Sequence, residues 1–136
     1  VIGTGSADTY TSKHGYPVRV NAAADQVSPA DFDAVIVPGG YAPDRLRRYP
    51  AVLDLVRGVY ERGGVVAATC HAAWVLVSAG ILKGKKATCV PAIKDDVINA
   101  GATYVDAEVV QDGNLITSRV PDDLPAFCRT IIAALS

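Results

Sequence analysis

This sequence lacks an excess of either positive or negative charge. Its 136 residues include 13 lysines and arginines and 14 aspartates and glutamates, which gives a formal net charge of −1 at pH 7. Proteins that bind nucleic acid present a basic field or a run of lysines and arginines, and this sequence has neither. We therefore expect no nucleic-acid partner.

A long hydrophobic run is missing as well. The longest mostly apolar stretch, residues 65–82, is interrupted by polar residues such as His71 and by Gly80. A membrane-spanning helix needs about 20 consecutive apolar residues. The first residues also lack the charged leader of a signal peptide. The sequence therefore predicts no membrane partner.

Cysteine is scarce and odd in number. Cys70, Cys89 and Cys128 lie far apart in the sequence. This argues against a disulfide framework and for a reducing compartment, so we expect a cytoplasmic protein. No Cys-x-x-Cys or His-x-x-x-His spacing and no complete glycine-rich nucleotide motif occurs, so we predict no metal and no cofactor. Cys89 and Cys128 are predicted to be core or near-core residues.

Short apolar, β-branched runs alternate with helical patterns along the whole chain. Residues 34–37 form an apolar run that stops at a Pro-Gly-Gly sequence, as a buried strand leading into a loop would, and residues 65–68 form a second. Strands that alternate with helices predict a mostly parallel sheet covered on both faces. We therefore predict one domain over residues 1–136, an α/β protein with a three-layer α/β/α sandwich and a flavodoxin-like sheet.

The helical patterns have recognisable ends. Pro50 suits a helix start and residues 63–64, two glycines, its end. A second helix is predicted after Cys70, a third over residues 94–100, and a hairpin turn at residues 112–113, an Asp-Gly pair. The tail, residues 122–135, is amphipathic. Its predicted inner face comprises Leu124, Phe127, Cys128, Ile131 and Ile132.

Cys70 is the candidate nucleophile. It lies between a predicted strand and a predicted helix, where the reactive groups of parallel sheets gather, and its neighbours are alanines. A helix N-terminus stabilises a thiolate. The backbone N–H groups of His71 and Ala72, which follow Cys70, together with those of Gly39 and Gly40, could form an oxyanion hole. The alternative interpretation is that Cys70 is a small buried hydrophobic residue.

Several sequence strings together resemble a known family. They are VPGG at residues 37–40, APD at 42–44, ATCH at 68–71, SAG at 78–80, KDD at 94–96, NAG at 99–101, VDAE at 105–108 and DGNLITSR at 112–119. The assembly is similar to the PfpI-type intracellular proteases of the ThiJ family, in the superfamily of the Parkinson-disease deglycase and the class I glutamine amidotransferases. The resemblance covers the chain from its first to its last residue.

The resemblance implies site residues and an assembly. It makes Cys70 the nucleophile, His71 its partner, and Asp44 from a neighbouring subunit the third member, at a position where the family usually has glutamate. Residues adjacent in the sequence, such as Cys70 and His71, would point in different directions on a helix, which favours a contribution from a partner loop. The implied assembly is a dimer or a hexamer.

The sequence also departs from the family's pattern. Family members begin with a further strand and helix of roughly 30 residues, one βα unit, and that unit, with a glutamate that binds the reactive cysteine, has no counterpart here. We therefore expect an N-terminally incomplete domain. Ala72 stands where the family usually has glycine, and Val90 replaces an aromatic lining residue.

Two classes of function follow from a reactive Cys70. The leading hypothesis is a cysteine-dependent, hydrolase-like enzyme whose thiolate attacks a carbonyl, either in a peptide bond or in an α-oxoaldehyde and its protein adducts. The alternative is a redox-responsive stress protein whose Cys70 is oxidised instead of turning over a substrate. A glutaminase would need a histidine late in the chain, and none follows His71.

Overall fold

A computed structural model describes residues 1–136 and contains ten short strands and five helices. The strands are β1 (Ile2–Gly3), β2 (Thr9–Thr11), β3 (Pro17–Arg19), β4 (Ala22–Ala23), β5 (Ala34–Val37), β6 (Val65–Thr69), β7 (Lys86–Ala87), β8 (Thr103–Tyr104), β9 (Val109–Asp112) and β10 (Leu115–Ser118). The helices are α1 (Ala42–Leu46), α2 (Pro50–Glu61), α3 (Ala73–Ala79), α4 (Lys94–Asn99) and α5 (Leu124–Leu135). No helix is both long enough and apolar enough to cross a membrane.

The central sheet has the strand order β5-β6-β10-β9. Strands β5, β6 and β10 run parallel, and β9 pairs with β10 in the predicted antiparallel hairpin. The register places Val37 beside Ala68, and Thr69 beside Ser118. The carboxyl ends of three parallel strands therefore meet at one edge of the sheet, which is where parallel sheets place their reactive loops.

Helices cover both faces of this sheet. Because side chains alternate along a strand, Val66 and Ala68 of β6 enter a large core formed with helices α2, α3 and α4, whereas Val65 and Ala67 pack on α5. The four residues are 6% exposed or less. This is why residues 65–68 of β6 are apolar without interruption, and it confirms the predicted α/β/α sandwich.

Helix α5 uses a narrower buried face than the sequence predicted. Phe127 and Ile131, four residues apart, are buried against the sheet, but Cys128 is exposed, Ile132 is 65% exposed and Leu124 is 39% exposed. Each helical residue advances about 100° around the axis, so Cys128 and Ile132 lie a quarter-turn beyond the buried pair. The predictions that Leu124, Cys128 and Ile132 belong to the inner face and that Cys128 is a core or near-core residue were therefore wrong.

Strand β5 is also less buried than predicted. One of its edges pairs with β6, its other edge has no strand partner, and Ile36 is 55% exposed. Beside it lies a groove of about 440 Å³, lined by apolar residues of β1, β3, β5 and α2 and by the terminal Val1. An apolar run therefore identified the strand correctly but not the coverage of both its faces.

Candidate active site

Cys70 occupies a sharp turn between β6 and α3. Its φ of 60° makes it the single non-glycine residue with positive φ, and a 3₁₀ turn over residues 70–72 leads directly into the helix. The left-handed conformation costs an L-residue about 1–2 kcal/mol, so it persists where the surroundings impose it. Ala68 before the turn and Ala72 after it are buried and leave room for the bend. The thiol is partly accessible to solvent.

The Gly39–Gly40 loop packs against this turn. A Cβ atom added to Gly39 would lie 2.8 Å from the Cβ of Cys70 and 3.1 Å from the carbonyl oxygen of Thr69. Gly40 has a φ of 77°, a conformation that favours glycine. The two loops that the sequence placed at the carboxyl ends of β5 and β6 thus meet at Cys70, and the absence of a side chain at residue 39 allows it.

The side chains of Cys70 and His71 contact each other. Sγ of Cys70 lies 3.3 Å from Nδ1 of His71. The expectation that two adjacent residues would diverge is therefore wrong. It assumed regular helical geometry, whereas the positive φ of Cys70 turns its side chain toward that of the next residue. A nucleophile and a base can share a proton at this distance once the geometry tightens around a substrate.

Two aromatic rings flank the imidazole of His71. The ring of Tyr41 is stacked at a centroid distance of 6.4 Å, and the ring of Trp74 is tilted at 5.1 Å. Trp74 Nε1 donates a hydrogen bond of 2.8 Å to the Asp96 carboxylate. Sequence reasoning did not identify Trp74 or Asp96 as site residues, although Trp74 lies three residues after His71, a spacing at which helical neighbours meet.

Asp44 makes no hydrogen bond to His71 within this chain. It is in the first turn of α1, and its carboxylate accepts a hydrogen bond of 2.6 Å from the exposed side chain of Arg48. Exposed ion pairs of this spacing contribute only about 0.3–0.5 kcal/mol, so little holds Asp44 in place. The chain itself therefore forms a Cys70–His71 pair and no third member.

Cys89 is a buried thiol near the same site. It is fully buried, as predicted, and its burial raises its pKa to about 12, with a smaller effect from the negative charge of Asp96. A thiol that stays protonated is neither a nucleophile nor a metal ligand. The site therefore contains one accessible sulfur and one inert sulfur.

An ion-pair cluster supports the end of β10 at this edge of the sheet. The guanidinium of Arg119 donates two hydrogen bonds to Asp123, of 2.9 and 3.0 Å, and a third of 2.9 Å to Asp106. The hydrogen bonds that Asp123 accepts lower its pKa, and the bond from the Arg119 side chain is the main cause. Ser118 Oγ donates to Thr69 Oγ1 at 2.7 Å and ties β10 to the residue before Cys70.

Known proteins are similar to this chain in sequence. The model of the DJ-1/PfpI family matches residues 1–134. A deglycase of Pyrococcus horikoshii is 49% identical over 127 residues, which are 93% of this chain and 76% of that protein. General stress protein 18 of Bacillus subtilis is 44% identical over 120 residues, 87% of this chain and 69% of that protein.

A solved structure gives the same result. The crystal structure of a two-domain protein of Anabaena variabilis, with DJ-1/ThiJ/PfpI-like and ferritin-like domains, superposes with a TM-score of 0.95 at 41% identity. The match covers 98% of this chain and 40% of that longer chain. The chain belongs to the DJ-1/PfpI family.

Proposed function

We propose that this protein is a cysteine-dependent deglycase that acts on α-oxoaldehydes and on their adducts with protein amines and thiols. The observation that carries the proposal is the convergence of a strained, accessible Cys70, the His71 imidazole at 3.3 Å and the side-chain-free Gly39 at one point. A relative 49% identical is named a deglycase. The chemistry needs a thiolate, a proton carrier and a donor for an oxyanion, and these three groups provide them.

The reaction begins with the addition of the Cys70 thiolate to the aldehyde carbon. The C–S bond forms, the carbonyl π electrons move to oxygen, and the resulting oxyanion lies toward the backbone N–H groups at Gly39, Gly40 and Ala72. The first N–H groups of a helical segment have no partner within the helix and can donate to this oxygen.

Proton transfer then converts the adduct into a thioester. His71 removes the proton from the carbon bound to sulfur and returns one to the neighbouring carbon, so the aldehyde carbon is oxidised while the ketone carbon is reduced. Water hydrolyses the thioester and restores the Cys70 thiol. Methylglyoxal plus water thus gives lactate, with no external oxidant or reductant.

Product analysis tests the proposal. Purified protein is incubated with methylglyoxal, with methylglyoxal-modified N-acetylarginine and with a fluorogenic casein substrate, and lactate is measured by ¹H NMR. We expect lactate from the first two substrates, loss of all turnover in Cys70→Ser, and normal turnover in Cys128→Ser, which removes an exposed thiol on α5. Casein cleavage without lactate formation would replace the deglycase with a peptidase.

The redox alternative has its own observation. Cys70 is partly accessible, and a relative 44% identical is named a general stress protein. A stress sensor would oxidise stoichiometrically: a peroxide oxygen transfers to the sulfur, giving sulfenic acid and water or an alcohol. Complete oxidation of Cys70 by dilute peroxide, with no turnover of any carbonyl substrate, would favour the sensor over the enzyme.

We also propose that Asp44 acts on His71 of a second copy, in a homodimer or a hexamer built from dimers. Three observations support this: Asp44 makes no hydrogen bond to His71 in its own chain, it follows the Gly39–Gly40 loop closely, and Tyr41 between them is 86% exposed. A large exposed aromatic residue suits an interface between subunits.

Mixing of inactive variants tests this arrangement. Asp44→Ala and Cys70→Ala are each expected to be inactive or nearly so. When equal amounts are unfolded and refolded together, half of the dimers are mixed, and each mixed dimer has one complete site. About a quarter of the wild-type activity should therefore return. No recovery, with mixed dimers demonstrated by mass spectrometry, would show that Asp44 does not act across the interface.

A further inference from the structure

We propose that Trp74 is the positioning residue for His71: its indole, fixed by Asp96, holds the imidazole in the orientation that directs Nδ1 at the sulfur of Cys70. This inference rests on the proposed function, because it identifies what orients the proposed base. It adds a role within a single chain, separate from the proposed contribution of Asp44 across an interface.

The imidazole has few other restraints. Its one hydrogen bond within the chain is the 3.3 Å contact between Nδ1 and Cys70 Sγ, and no group of the chain bonds to Nε2. Two aromatic rings lie beside it: the ring centroid of Trp74 is 5.1 Å away with an interplanar angle of 58°, and that of Tyr41 is 6.4 Å away at 15°. Tyr41 is 86% exposed, whereas the indole of Trp74 is hydrogen-bonded to Asp96. Trp74 is therefore the ring that restrains the imidazole.

Trp74 itself is held by two other elements. Its Nε1 donates to Oδ2 of Asp96 at 2.8 Å, which joins α3 to the first turn of α4. The guanidinium of Arg47 lies 5.6 Å from the centre of the indole, within the range of a cation–π contact. Arg47 is anchored in turn by a 2.9 Å hydrogen bond from Nε to Ser78 Oγ. The indole is thus bonded at its edge and covered on one face.

The expected size of the effect follows from rotamer counting. A free histidine side chain has three χ1 wells and a roughly two-fold χ2, about six orientations, of which one directs Nδ1 at Sγ. Removal of the Trp74 wall spreads the imidazole over these orientations. The rate of any step that needs the Cys70–His71 contact should then fall about three- to sixfold.

The experiment compares Trp74→Ala and Trp74→Phe in the full chain. Phenylalanine retains an aromatic wall and loses the bond to Asp96. We expect the second-order rate of Cys70 alkylation by iodoacetamide at pH 7, measured by peptide mass spectrometry, to fall about three- to sixfold in Trp74→Ala and to stay within about twofold in Trp74→Phe. Asp96→Ala keeps the indole and loses the same hydrogen bond, so it should resemble Trp74→Phe. Tyr16→Ala, an exposed aromatic outside the site, is the matched control.

A spectroscopic readout separates positioning from general loss of structure. The protein has two histidines, so long-range ¹H–¹⁵N spectra contain two imidazoles, and His14→Gln assigns them. In Trp74→Ala the His71 nitrogens should shift toward the values of the exposed His14, and in Trp74→Phe they should keep the wild-type pattern. Far-UV circular dichroism confirms that the variants are folded.

The outcomes divide clearly. Unchanged alkylation rates and unchanged His71 signals in folded Trp74→Ala would overturn the inference. So would a Trp74→Phe variant as impaired as Trp74→Ala, because the aromatic wall would then not be the cause. Neither readout uses turnover: if the wild type forms no lactate yet Trp74→Ala alters both signals, the deglycase proposal fails and the positioning role stands.

Discussion

Gly39 and Cys70 lie in direct backbone-to-side-chain contact, so close that a methyl group on residue 39 would lie 2.8 Å from the Cβ of Cys70. The atoms it would meet belong to Cys70 and to the carbonyl of Thr69, neither of which is the far end of a flexible side chain. Relief must therefore come from movement of a loop or of the turn itself. This contact joins the end of β5 to the end of β6 at the proposed nucleophile.

Gly39→Ala should accordingly separate the loop from the turn. We expect a loss of about 1–3 kcal/mol in the free energy of unfolding and a fall of more than about tenfold in turnover, since displaced N–H donors no longer meet the oxyanion. Urea unfolding and lactate formation measure the two effects.

Gly15→Ala is the matched control for that variant. Gly15 has a φ of 82° with no atom within 4 Å of an added Cβ, so alanine introduces backbone strain without overlap, away from the site. It should lose about 1 kcal/mol of stability and retain full turnover. Equal turnover in both alanine variants would contradict the role of Gly39.

The positive φ of Cys70 predicts an unusual order of stability among its replacements. Glycine adopts this conformation without the penalty of about 1–2 kcal/mol that alanine carries, and loses part of that gain to its larger unfolded-state entropy. We expect the free energy of unfolding of Cys70→Gly to be about 0.5–1 kcal/mol larger than that of Cys70→Ala. Cys70→Val should be less stable than both, because a β-branched side chain fits this conformation poorly. Chemical denaturation of the three variants checks the order, and a glycine variant less stable than alanine would show that the turn is unstrained.

Because of Asp123, the free energy of unfolding should decrease as the pH is lowered. Its pKa is lower in the folded chain than in the unfolded chain because of the hydrogen bonds from Arg119. A carboxyl with a lowered folded pKa stabilises the fold at pH values above its unfolded pKa of about 3.9, and this contribution disappears as the pH falls through the folded value. Urea unfolding at pH 6, 4 and 3 should show a smaller acid loss in Asp123→Asn than in the wild type. Arg119→Leu should behave like Asp123→Asn, since it removes the cause; a wild-type acid profile in either variant would contradict the assignment.

Because of Cys89, the free energy of unfolding should decrease as the pH is raised. Burial raises its folded pKa to about 12, so above pH ~8.5 the unfolded thiol ionises while the folded thiol stays protonated. The stabilising contribution is complete below the unfolded pKa and falls by about 1.4 kcal/mol per pH unit until the folded thiol titrates. Cys89→Ala should therefore lose less stability between pH 8 and pH 10 than the wild type. Cys128→Ala, which removes an exposed thiol, is the control, and an identical alkaline slope in Cys89→Ala would refute the prediction.

The layers of the fold were predictable because strands buried on both faces have a distinctive composition. Residues 65–68 of β6 are all apolar, and the Asp112-Gly113 pair indicated the hairpin. Exposure was harder to predict: Ile36 and Ile132 belong to apolar patterns but lie uncovered, because coverage depends on which elements pack beside them. A period in the sequence identifies an element and not its neighbours.

The candidate site likewise contains residues that the sequence identified and contacts that it did not predict. Cys70, Gly39 and Gly40 were identifiable because a nucleophile between a strand and a helix, and a loop that needs glycine, are local features of the chain. The Cys70–His71 contact depends on one backbone angle, and the contact between Trp74 and Asp96 joins residues of two helices that lie 22 positions apart in the sequence. Neither follows from spacing alone.

Trp74 is the one tryptophan of the chain, and it lies 5.1 Å from the proposed base. The intrinsic fluorescence of the protein, excited at wavelengths where tyrosine does not absorb, therefore comes from Trp74 alone, at the edge of the candidate active site. Adduct formation on Cys70, a change of charge on His71 or the arrival of a second subunit beside Tyr41 would each alter that emission. The protein thus provides its own label-free reporter, with which the early steps of the reaction can be followed by stopped flow.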